Sequence, residues 1–493
     1  MSGRWLLAFD LGAESGRAML GAFDGRRLGL REAHRFANEP VEVAGQLQWD
    51  VLRLWAEIAS GLHRGAALAG GDLASVGVDT WAVDYGLLDA RGRLVANPVH
   101  YRDRRTEGMR ELAAEAVPEG VTYRTTGIQF MPINTLFQLY AQVRQEDPQL
   151  EWAERLLFMP DLFHHWMSGS KSSEFSVATT SQCYDPTAGS WASELLARLG
   201  IPARLFAPVV ASGTDLGPLL PHLREDGRLG GCRVIAPGAH DTASAVAAVP
   251  FEGGGQGAAY ISSGTWSLVG LEVPRPVISE EARLANLTNE GGVFGTFRLL
   301  KNVMGLWLLQ ECRRALAGEG EPPGYEELIR AAAAAPRRGI VVDPDQERFL
   351  RPGDMPGRIR VYCREHGEPE PEGTGELIRV VLESLALRYR WVIEQLERIA
   401  EHPVEVVHVV GGGARNGLLC QMTADACGRP VLAGPVEATA IGNLLVQAIS
   451  VGELAGLGEA REVVAGSFPI ERYEPAADGY WDEAYGLFRR LVA

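Results

Sequence analysis

The order of apolar and polar positions predicts that the chain begins as an α/β layer. Three short strands come first, then an amphipathic helix with an Asp in front of it, then a further buried strand. This β-β-β-α-β run is typical of domains in which helices cover a sheet. The predicted elements are strands at 5–9, 18–23, 27–36 and 76–88, and a helix that has Asp50 as its N-cap and ends near Leu68.

The same local pattern returns in the second half of the chain. Residues 258–270 again read as a strand, a small polar turn and a strand, like residues 5–23. Two such hairpins indicate an internal repeat. With 493 residues the chain also exceeds what one hydrophobic core normally serves. We therefore predict two duplicated domains, residues 1–250 and 251–493, on either side of a deep cleft.

The second half has further recognisable elements. We expect an amphipathic helix to start near residue 299, a long helix at 373–399, a buried β-branched strand at 404–410, and a last major helix from 437. Three glycines, 411–413, follow the β-branched strand. A tight turn needs only one glycine, so three favour a close approach of the backbone to a nucleotide.

Charge and composition exclude several classes of partner. The formal net charge of -16 argues against nucleic acid and against anionic membranes. The N-terminal apolar run is too short for a signal peptide, and the longest uncharged stretch is rich in Gly and Ser. The six cysteines show no metal-binding or disulfide spacing, so we expect a cytoplasmic protein. An anionic cosubstrate would need backbone amides and a divalent metal.

The turn of the first hairpin is a candidate phosphate site. Its Gly-rich backbone, between Asp10 and Arg17, could wrap a phosphate, with Asp10 at a strand end placed to hold hydrated Mg²⁺. An ordinary hairpin turn explains Gly12 and Gly16 equally well.

A second candidate lies at residues 237–244, where a strand leads through Gly238 into an Ala-rich helix. Asp241, beside an imidazole and a hydroxyl, suits binding of a polyol and removal of one hydroxyl proton. The plainer interpretation is that Asp241 is a helix N-cap. Asp79, Thr80 and Asp84, with Trp81 between them, would suit a sugar, although capping and turn roles explain each one singly.

Lysine occurs only twice, at Lys171 and Lys301, and arginine supplies every other basic position. Lys301 is either a chance survivor or marks a site that needs a compact charge.

Several longer strings are similar to those of the FGGY carbohydrate kinases, within the actin-like ATPase superfamily. The strings run nearly from end to end: FDLGAESGR from Phe9, DTWAVDY from Asp79, YRDRRT from Tyr101, GIQFMPINTL from Gly127, HDTASAV from His240, SSGTWSL from Ser262, NEGG from Asn289, KNVMGLWLLQ from Lys301, VGGGARN from Val410 and GPVEATAIGN from Gly434. The resemblance implies two duplicated actin-like (ribonuclease H-like) domains.

By this resemblance the protein would transfer the γ-phosphate of ATP to the C1 hydroxyl of a ketose, with L-rhamnulose as the expected substrate. Asp241 would be the general base and Asp10 would position Mg²⁺. The residues implied for the ketose are Ala82, His240, Asp241, Thr242 and Asn302, and those implied for ATP are Ala13, Glu14, Ser15, Gly16, Arg17, Thr265, Gln310 and Gly412.

Two departures from the family pattern affect these expectations. Ala82 stands where the family is expected to have Gly, which leaves preference among ketoses such as L-fuculose, L-xylulose and D-ribulose open. Glu14 places a negative charge in the phosphate turn, and we expect its side chain to point away. The alternatives are a catalytically dead sugar-binding regulator or an actin-like ATPase switch, and either a monomer or a homodimer is compatible with the sequence.

Overall fold

The computed structural model describes residues 3–224, 229–318 and 320–492. They form two compact units, each assembled from three segments. The first consists of Met1–Pro250, Glu272–Leu299 and Ala438–Phe468, and the second of Phe251–Leu271, Leu300–Glu437 and Pro469–Ala493. The predicted division at 250/251 falls where the first segment ends. Residues 272–299 and 438–468, predicted to belong to the second half, pack within the first unit.

The strands, in chain order, are β1 (Arg4–Leu11), β2 (Ser15–Phe23), β3 (Leu28–Ala37), β4 (Pro40–Val43), β5 (Gln46–Trp49), β6 (Leu73–Thr80), β7 (Tyr85–Leu88), β8 (Arg155–Phe158), β9 (Ser173–Glu174), β10 (Tyr184–Asp185), β11 (Ser190–Trp191), β12 (Val209–Val210), β13 (Asp215–Pro218), β14 (Arg233–Ile235), β15 (Ala258–Ser263), β16 (Ser267–Val273), β17 (Thr288–Gly291), β18 (Phe297–Val303), β19 (Val406–Val410), β20 (Val431–Ala433) and β21 (Glu471–Tyr473).

The α-helices are α1 (Val51–Leu68), α2 (Met109–Ala116), α3 (Glu119–Thr126), α4 (Thr135–Arg144), α5 (Gln149–Trp152), α6 (Met159–Ser168), α7 (Phe175–Thr180), α8 (Ser193–Arg198), α9 (Asp241–Ala247), α10 (Glu280–Leu284), α11 (Trp307–Leu316), α12 (Tyr325–Ala334), α13 (Met355–Glu365), α14 (Gly373–Ala400), α15 (Gly417–Cys427), α16 (Ala438–Ser450), α17 (Leu457–Ser467) and α18 (Tyr480–Leu491).

The first unit is built on a mixed sheet in the order β13-β14-β6-β1-β2-β3. β1 pairs with β2 in antiparallel register and with β6 in parallel register, and β2 pairs with β3. Asp50 caps α1 as predicted, because its carboxylate accepts a hydrogen bond from the amide of Arg53. Phe9 and Val78 of the sheet share one buried core with Leu54 and Ile58 of α1. The β-β-β-α-β prediction is therefore confirmed.

The second unit repeats this local arrangement. β15 pairs with β16 in antiparallel register and with β19 in parallel register, as β1 pairs with β2 and β6. Its sheet continues through β20 and β21 on the β19 side and β18 on the β16 side. The long helix α14 is buried over most of its length. The predicted repeat of the hairpin is thus present in the structure.

Two predictions of local structure were wrong. Residues 299–303, expected to begin a helix, belong to strand β18, and the helix α11 starts at Trp307. The strand predicted over 76–88 ends at Thr80, and β7 begins at Tyr85 in a separate pair with β8. Both segments are apolar and short, so periodicity alone could not separate strand from helix or locate the break.

Among the residues described, none of the helices combines the length and the apolar character that crossing a membrane requires.

Candidate active site

Two carboxylates lie side by side where β1 and β6 end. Asp10 and Asp79 are register partners in the parallel ladder, so they project from the same face of the sheet. Arg17, the partner of Asp10 in β2, donates a hydrogen bond from Nη2 to Asp10 Oδ2 at 2.6 Å. The hairpin turn itself is closed by the amide of Gly12, which donates to the carbonyl of Ser15.

Asp79 is fully buried and incompletely satisfied. Its Oδ2 accepts a hydrogen bond from Asn443 Nδ2 at 2.6 Å, whereas Oδ1 has no partner within the described part of the chain. Burial raises the pKa of Asp79 well above its ordinary value, and the charge of Asp10 raises it further. A buried carboxylate next to a second one is a local excess of negative charge that a cation would relieve.

This donor set fits a hydrated magnesium ion. Mg²⁺ normally keeps several waters and takes only one or two protein carboxylates, so Asp10, with Asp79 beside it, would be enough to hold such an ion. Within residues 3–224, 229–318 and 320–492, no group of three or more His, Cys, Asp or Glu residues forms a closed metal site.

The loop after β6 holds Ala82 in a strained stretch of backbone. Val83 has φ 66°, a left-handed conformation that β-branched residues rarely adopt. Asp84 fixes the loop from inside: its Oδ2 accepts the indole N–H groups of Trp49 at 2.6 Å and Trp81 at 3.0 Å. The pKa of Asp84 is raised to about 6, because the effect of burial exceeds the lowering by these hydrogen bonds. Asp84 is thus a buried support for the loop, while Ala82 is half-buried.

The strand end before α9 is fixed to the neighbouring β6. The amide of Thr80 donates to the carbonyl of Ala239, and Thr80 pairs with His240 in a parallel bridge. Glu174 and Ser176 hold the other side, because they accept the amides of Ala239 and His240 respectively, both at 3.1 Å. His240 occupies the N-cap position, so the alternative in which Asp241 is the N-cap is wrong.

Asp241 is the first residue of α9 and is anchored by one oxygen. Its Oδ1 lies 3.2 Å from His240 Nε2 and accepts a hydrogen bond from Thr242 Oγ1 at 3.0 Å. The side chain remains 33% exposed. Burial would raise the pKa of Asp241, but the hydrogen bond and charge of His240 lower it by more. An anchored, ionised and accessible carboxylate is the form a general base requires.

Behind His240 lies a buried ion pair that the sequence interpretation had not assigned to the site. His240 Nδ1 lies 3.3 Å from Glu290 Oε2, and Arg298 Nη2 lies 3.2 Å from the same oxygen. Arg298 is completely buried and donates from Nε to the carbonyl of Gly291. Burial lowers the pKa of His240, yet the neighbouring carboxylates of Asp241 and Glu290 raise it by more. With His240 protonated, the side chains of Asp241, His240, Glu290 and Arg298 alternate in charge in that order.

In the second unit, Thr265 lies in the turn between β15 and β16, and the start of α11 closes on that turn. The amides of Leu306 and Trp307 donate to the carbonyls of Gly264 and Thr265. One turn into the helix, Gln310 donates from Nε2 to Thr265 Oγ1 at 3.4 Å. The carbonyl oxygen of the Gln310 side chain is buried and lacks a hydrogen-bond partner among the described residues.

The three glycines after β19 have different surroundings. Gly411 has φ 83°, and a side chain on Gly413 would overlap Ser263, so both are required by the fold itself. A Cβ at Gly412, in contrast, would meet no atom of the described residues within 4 Å. The backbone at 411–413 therefore leaves open space beside an exposed glycine, which fits the close approach of a nucleotide.

The remaining predicted residues are placed as follows. Ala13 and Glu14 lie in the turn of the first hairpin, with Glu14 exposed, and Ser15 and Gly16 begin β2. Gly16 is buried, and a Cβ there would overlap the ring of Phe36. Asn302 lies on β18 beside Lys301.

Lys301 is buried in the second unit, with Nζ 5.6 Å from the ring centroid of Trp391. Burial, and next the charge of Arg388, lower the pKa of Lys301 to about 7, whereas Asp345 and Asp343 raise it.

Reasoning from sequence missed four polar residues that support the site: Glu174, Glu290, Arg298 and Asn443. Asn443 lies on α16, which was predicted to belong to the second half but packs in the first unit, where Gly442 lies against the backbone of Ser244. The NEGG string contained Glu290, yet nothing local connected it with His240, which precedes it by 50 positions in the chain.

Comparison with protein families identifies the class of this chain. The N-terminal domain of the FGGY family of carbohydrate kinases matches residues 5–248, and the C-terminal domain matches residues 259–451. The chain belongs to this family, whose kinases use ATP.

Along nearly its whole length the chain is similar to proteins named rhamnulokinase. It is 43% identical to the rhamnulokinase of Bacteroides thetaiotaomicron over 489 residues, which cover 98% of this chain and 99% of that protein. It is 42% identical to the rhamnulokinase of Pectobacterium carotovorum over 483 residues, covering 97% and 95% of the two chains. The expected family membership and sugar-kinase activity are confirmed.

Solved structures show the same fold at low sequence identity. A gluconate kinase from Lactobacillus acidophilus aligns with a TM-score of 0.81 at 14% identity, covering 99% of this chain and 98% of that one. A Plasmodium falciparum glycerol kinase solved with ADP aligns with a TM-score of 0.78 at 12% identity and the same coverage. The prediction of two duplicated actin-like α/β domains is confirmed.

Proposed function

We propose that this sugar kinase transfers the γ-phosphate of ATP to the C1 hydroxyl of L-rhamnulose, giving L-rhamnulose 1-phosphate and ADP in L-rhamnose catabolism. The observation that carries the choice of substrate is the similarity, over nearly the full length, to proteins named rhamnulokinase. Action in the cytoplasm with Mg²⁺-ATP, as a monomer or homodimer, belongs to the same proposal.

Asp241 is the general base in this proposal. Its Oδ1 is anchored by His240 and Thr242, which leaves Oδ2 to accept the proton of the C1 hydroxyl. As that proton leaves, the C1 oxygen forms a bond to the γ-phosphorus and the bond from that phosphorus to the β,γ-bridging oxygen breaks, releasing ADP. Phosphoryl transfer of this kind depends on positioning and electrostatics, so no nucleophilic Ser or Cys is needed.

The other residues take roles that follow their surroundings. His240, Thr242, Ala82 and Asn302 bind the ketose. Asp10, supported by Asp79, holds hydrated Mg²⁺, which when bound neutralises charge on the phosphates. The residues proposed to contact ATP are Ala13, Glu14, Ser15, Gly16, Arg17, Thr265, Gln310 and Gly412.

ADP release with Mg²⁺-ATP tests the substrate. The panel is L-rhamnulose, L-fuculose, L-xylulose, D-ribulose, D-xylulose and glycerol, and we expect L-rhamnulose to have the highest kcat/KM. Preference for another ketose would move the specificity and make Ala82 the first residue to examine. No turnover with any member would contradict the proposal and favour a sugar-binding regulator.

Asp241→Asn tests the base. We expect kcat to fall by about 10²–10⁴-fold, the usual contribution of a general base, while sugar affinity changes by no more than a few fold. Asp215→Asn is the matched control, because Asp215 is a half-exposed carboxylate of the same unit, paired with Arg233. Normal turnover by Asp241→Asn would show that another group accepts the proton.

A further inference from the structure

Glu290 and Arg298 stand behind His240 and not beside the position proposed for the sugar. Arg298 has no exposed surface and Glu290 very little, so neither is available to a ligand from solvent. Both contact His240, which in turn contacts Asp241. We propose that Glu290, held by Arg298, is a positioning residue that keeps the ring of His240 aimed at Asp241 Oδ1. This inference rests on the proposed function, because it assigns these residues to the same base.

The strand that carries Glu290 is fixed on each side of it. Asn289 accepts the amide of Val277 at 2.6 Å and donates to the carbonyl of Gly127. The amide of Gly291 donates to Thr179 Oγ1 at 2.7 Å, and its carbonyl accepts from Arg298 Nε at 3.0 Å. The carboxylate of Glu290 is therefore presented to His240 by a backbone with little freedom to move.

Two contacts compete for His240 Nδ1. His240 Nδ1 is hydrogen-bonded to Arg298 Nη2 at 3.1 Å, whereas Glu290 Oε2, 3.3 Å from Nδ1, has no hydrogen-bond partner among the described residues. An unprotonated Nδ1 accepts from Arg298, and a protonated Nδ1 would instead donate to Glu290 Oε2. The charged groups that face the ring are Asp241, Glu290 and Arg298, so two carboxylates oppose one guanidinium. These carboxylates raise the pKa of His240, although burial lowers it. The net shift is upward and favours the protonated ring.

With both ring nitrogens protonated, the imidazolium donates to Glu290 on one side and to Asp241 on the other. The ring then has one orientation, and Asp241 Oδ1 is held by His240 and Thr242 together. Oδ2 is left as the oxygen that accepts the hydroxyl proton. Arg298 balances the charge of Glu290, so the arrangement of two cations and two anions is neutral overall.

The test compares Glu290→Gln with the wild type in kinetics across pH. At pH 7 we expect kcat for the ketose to fall by about 10²-fold with KM changed by less than about threefold, because a misplaced base slows the chemical step more than binding. The loss should grow as pH rises, since His240 without Glu290 loses its proton at lower pH. Glu290→Asp keeps the charge and should recover much of kcat.

Glu272→Gln is the matched control for loss of a buried ion pair. Glu272 pairs with Arg461 in the same unit, at 2.9 Å and with similar burial, and contacts none of the catalytic residues. It should lower stability without changing the pH profile of kcat. If Glu290→Gln changes kcat no more than Glu272→Gln does at every pH, Glu290 is only structural and the proposal is overturned.

Glu290→Gln could fail to fold, because it leaves the charge of Arg298 buried without its partner. The double variant Glu290→Gln, Arg298→Met removes both charges and should fold, with the same loss of kcat. A double variant with wild-type kcat would contradict the proposal.

A second measurement does not depend on the substrate. In ¹⁵N-histidine-labelled protein, the resonances of His240, assigned by their absence in His240→Asn, should show the doubly protonated ring to a higher pH in wild type than in Glu290→Gln. Failure of every ketose in the panel would remove the proposed function but leave this titration interpretable. Equal titration in the two proteins would overturn the role of Glu290 whatever the substrate is.

Discussion

The two hairpins of this kinase have the same topology but different chemistry. In each, a strand pairs antiparallel with the next strand and parallel with a later one, β6 for the first hairpin and β19 for the second. The ladder position one pair before the turn holds Asp10 and Arg17 in the first hairpin and Ser262 and Leu268 in the second. The two hairpins therefore share a backbone arrangement but not the charged residues on it.

The strands that pair in parallel with the two hairpins, β6 and β19, also differ in charge. β6 ends in Asp79 and Thr80, and Asp79 adds a second carboxylate beside Asp10. β19 ends at Val410 and is followed by the glycines 411–413, which bring backbone close to Ser263 and leave space at Gly412. The first hairpin is suited to a cation, whereas the second is suited to close packing of a neutral backbone against a ligand. Each of the following changes tests that division.

The largest difference in kcat between matched variants of the two hairpins should come from the position of Asp10. Asp10→Asn removes a carboxylate proposed to hold Mg²⁺, so we expect kcat to fall by about 10²-fold and the apparent Mg²⁺ requirement to rise. Ser262→Ala, at the corresponding position of the second hairpin, should change kcat by less than about threefold. The measurement is the rate of each variant across a Mg²⁺ titration. Similar losses of kcat in the two variants would contradict the assignment of the cation to the first hairpin.

The glycines of the second hairpin should separate ligand binding from folding. Gly412→Ala introduces a methyl group at a position where no atom of the described chain lies within 4 Å. We therefore expect unchanged thermal stability and a KM for ATP raised about tenfold by contact with the nucleotide. Gly413→Ala overlaps Ser263 and should lower the free energy of unfolding by about 2 kcal/mol. An unaltered KM for ATP in Gly412→Ala would mean that the nucleotide does not approach there.

Lys301, buried on β18 next to the second hairpin, should make the stability of the protein depend on pH. The pKa of Lys301 is lowered to about 7 in the folded protein, so between that pH and its ordinary pKa the unfolded chain binds the extra proton. Stability contributed by this group therefore rises with pH from about 7 upward, by about 1.4 kcal/mol per pH unit, and is constant below pH 7. Relative to Lys301→Met, the wild type should gain stability in urea unfolding between pH 7 and 9; a constant difference would exclude a lowered pKa.

The smallest effect is expected at Glu14 in the first turn. Its side chain is exposed, where charges are screened by solvent and salt. Glu14→Gln should therefore change the KM for ATP by less than about twofold at physiological ionic strength. A larger decrease in KM would show that this carboxylate faces the phosphates after all.

Local features were predicted well from the sequence. The two hairpins, the Asp50 cap, the strand end at His240 and the glycines after β19 all depend on residues close together in the chain. Strand and helix were confused at 299–303, where a short apolar run carries no periodicity that distinguishes them.

The environment of the candidate base could not be predicted in this way. Glu290 meets His240 from 50 positions away in the chain, and Asn443 meets Asp79 from 364. In each case the chemical types are ordinary, and only packing makes them neighbours.

The sequence by itself determined the repeated hairpins, the positions where the backbone must be glycine, and the carboxylates available for a metal and for a proton. These follow from short-range sterics and from the chemistry of single residues. The tertiary structure alone decided that segments 272–299 and 438–468 pack in the first unit, and that Glu290 and Arg298 support His240. The physical reason is that burial and pairing of charges depend on contacts between distant segments, which no local pattern records.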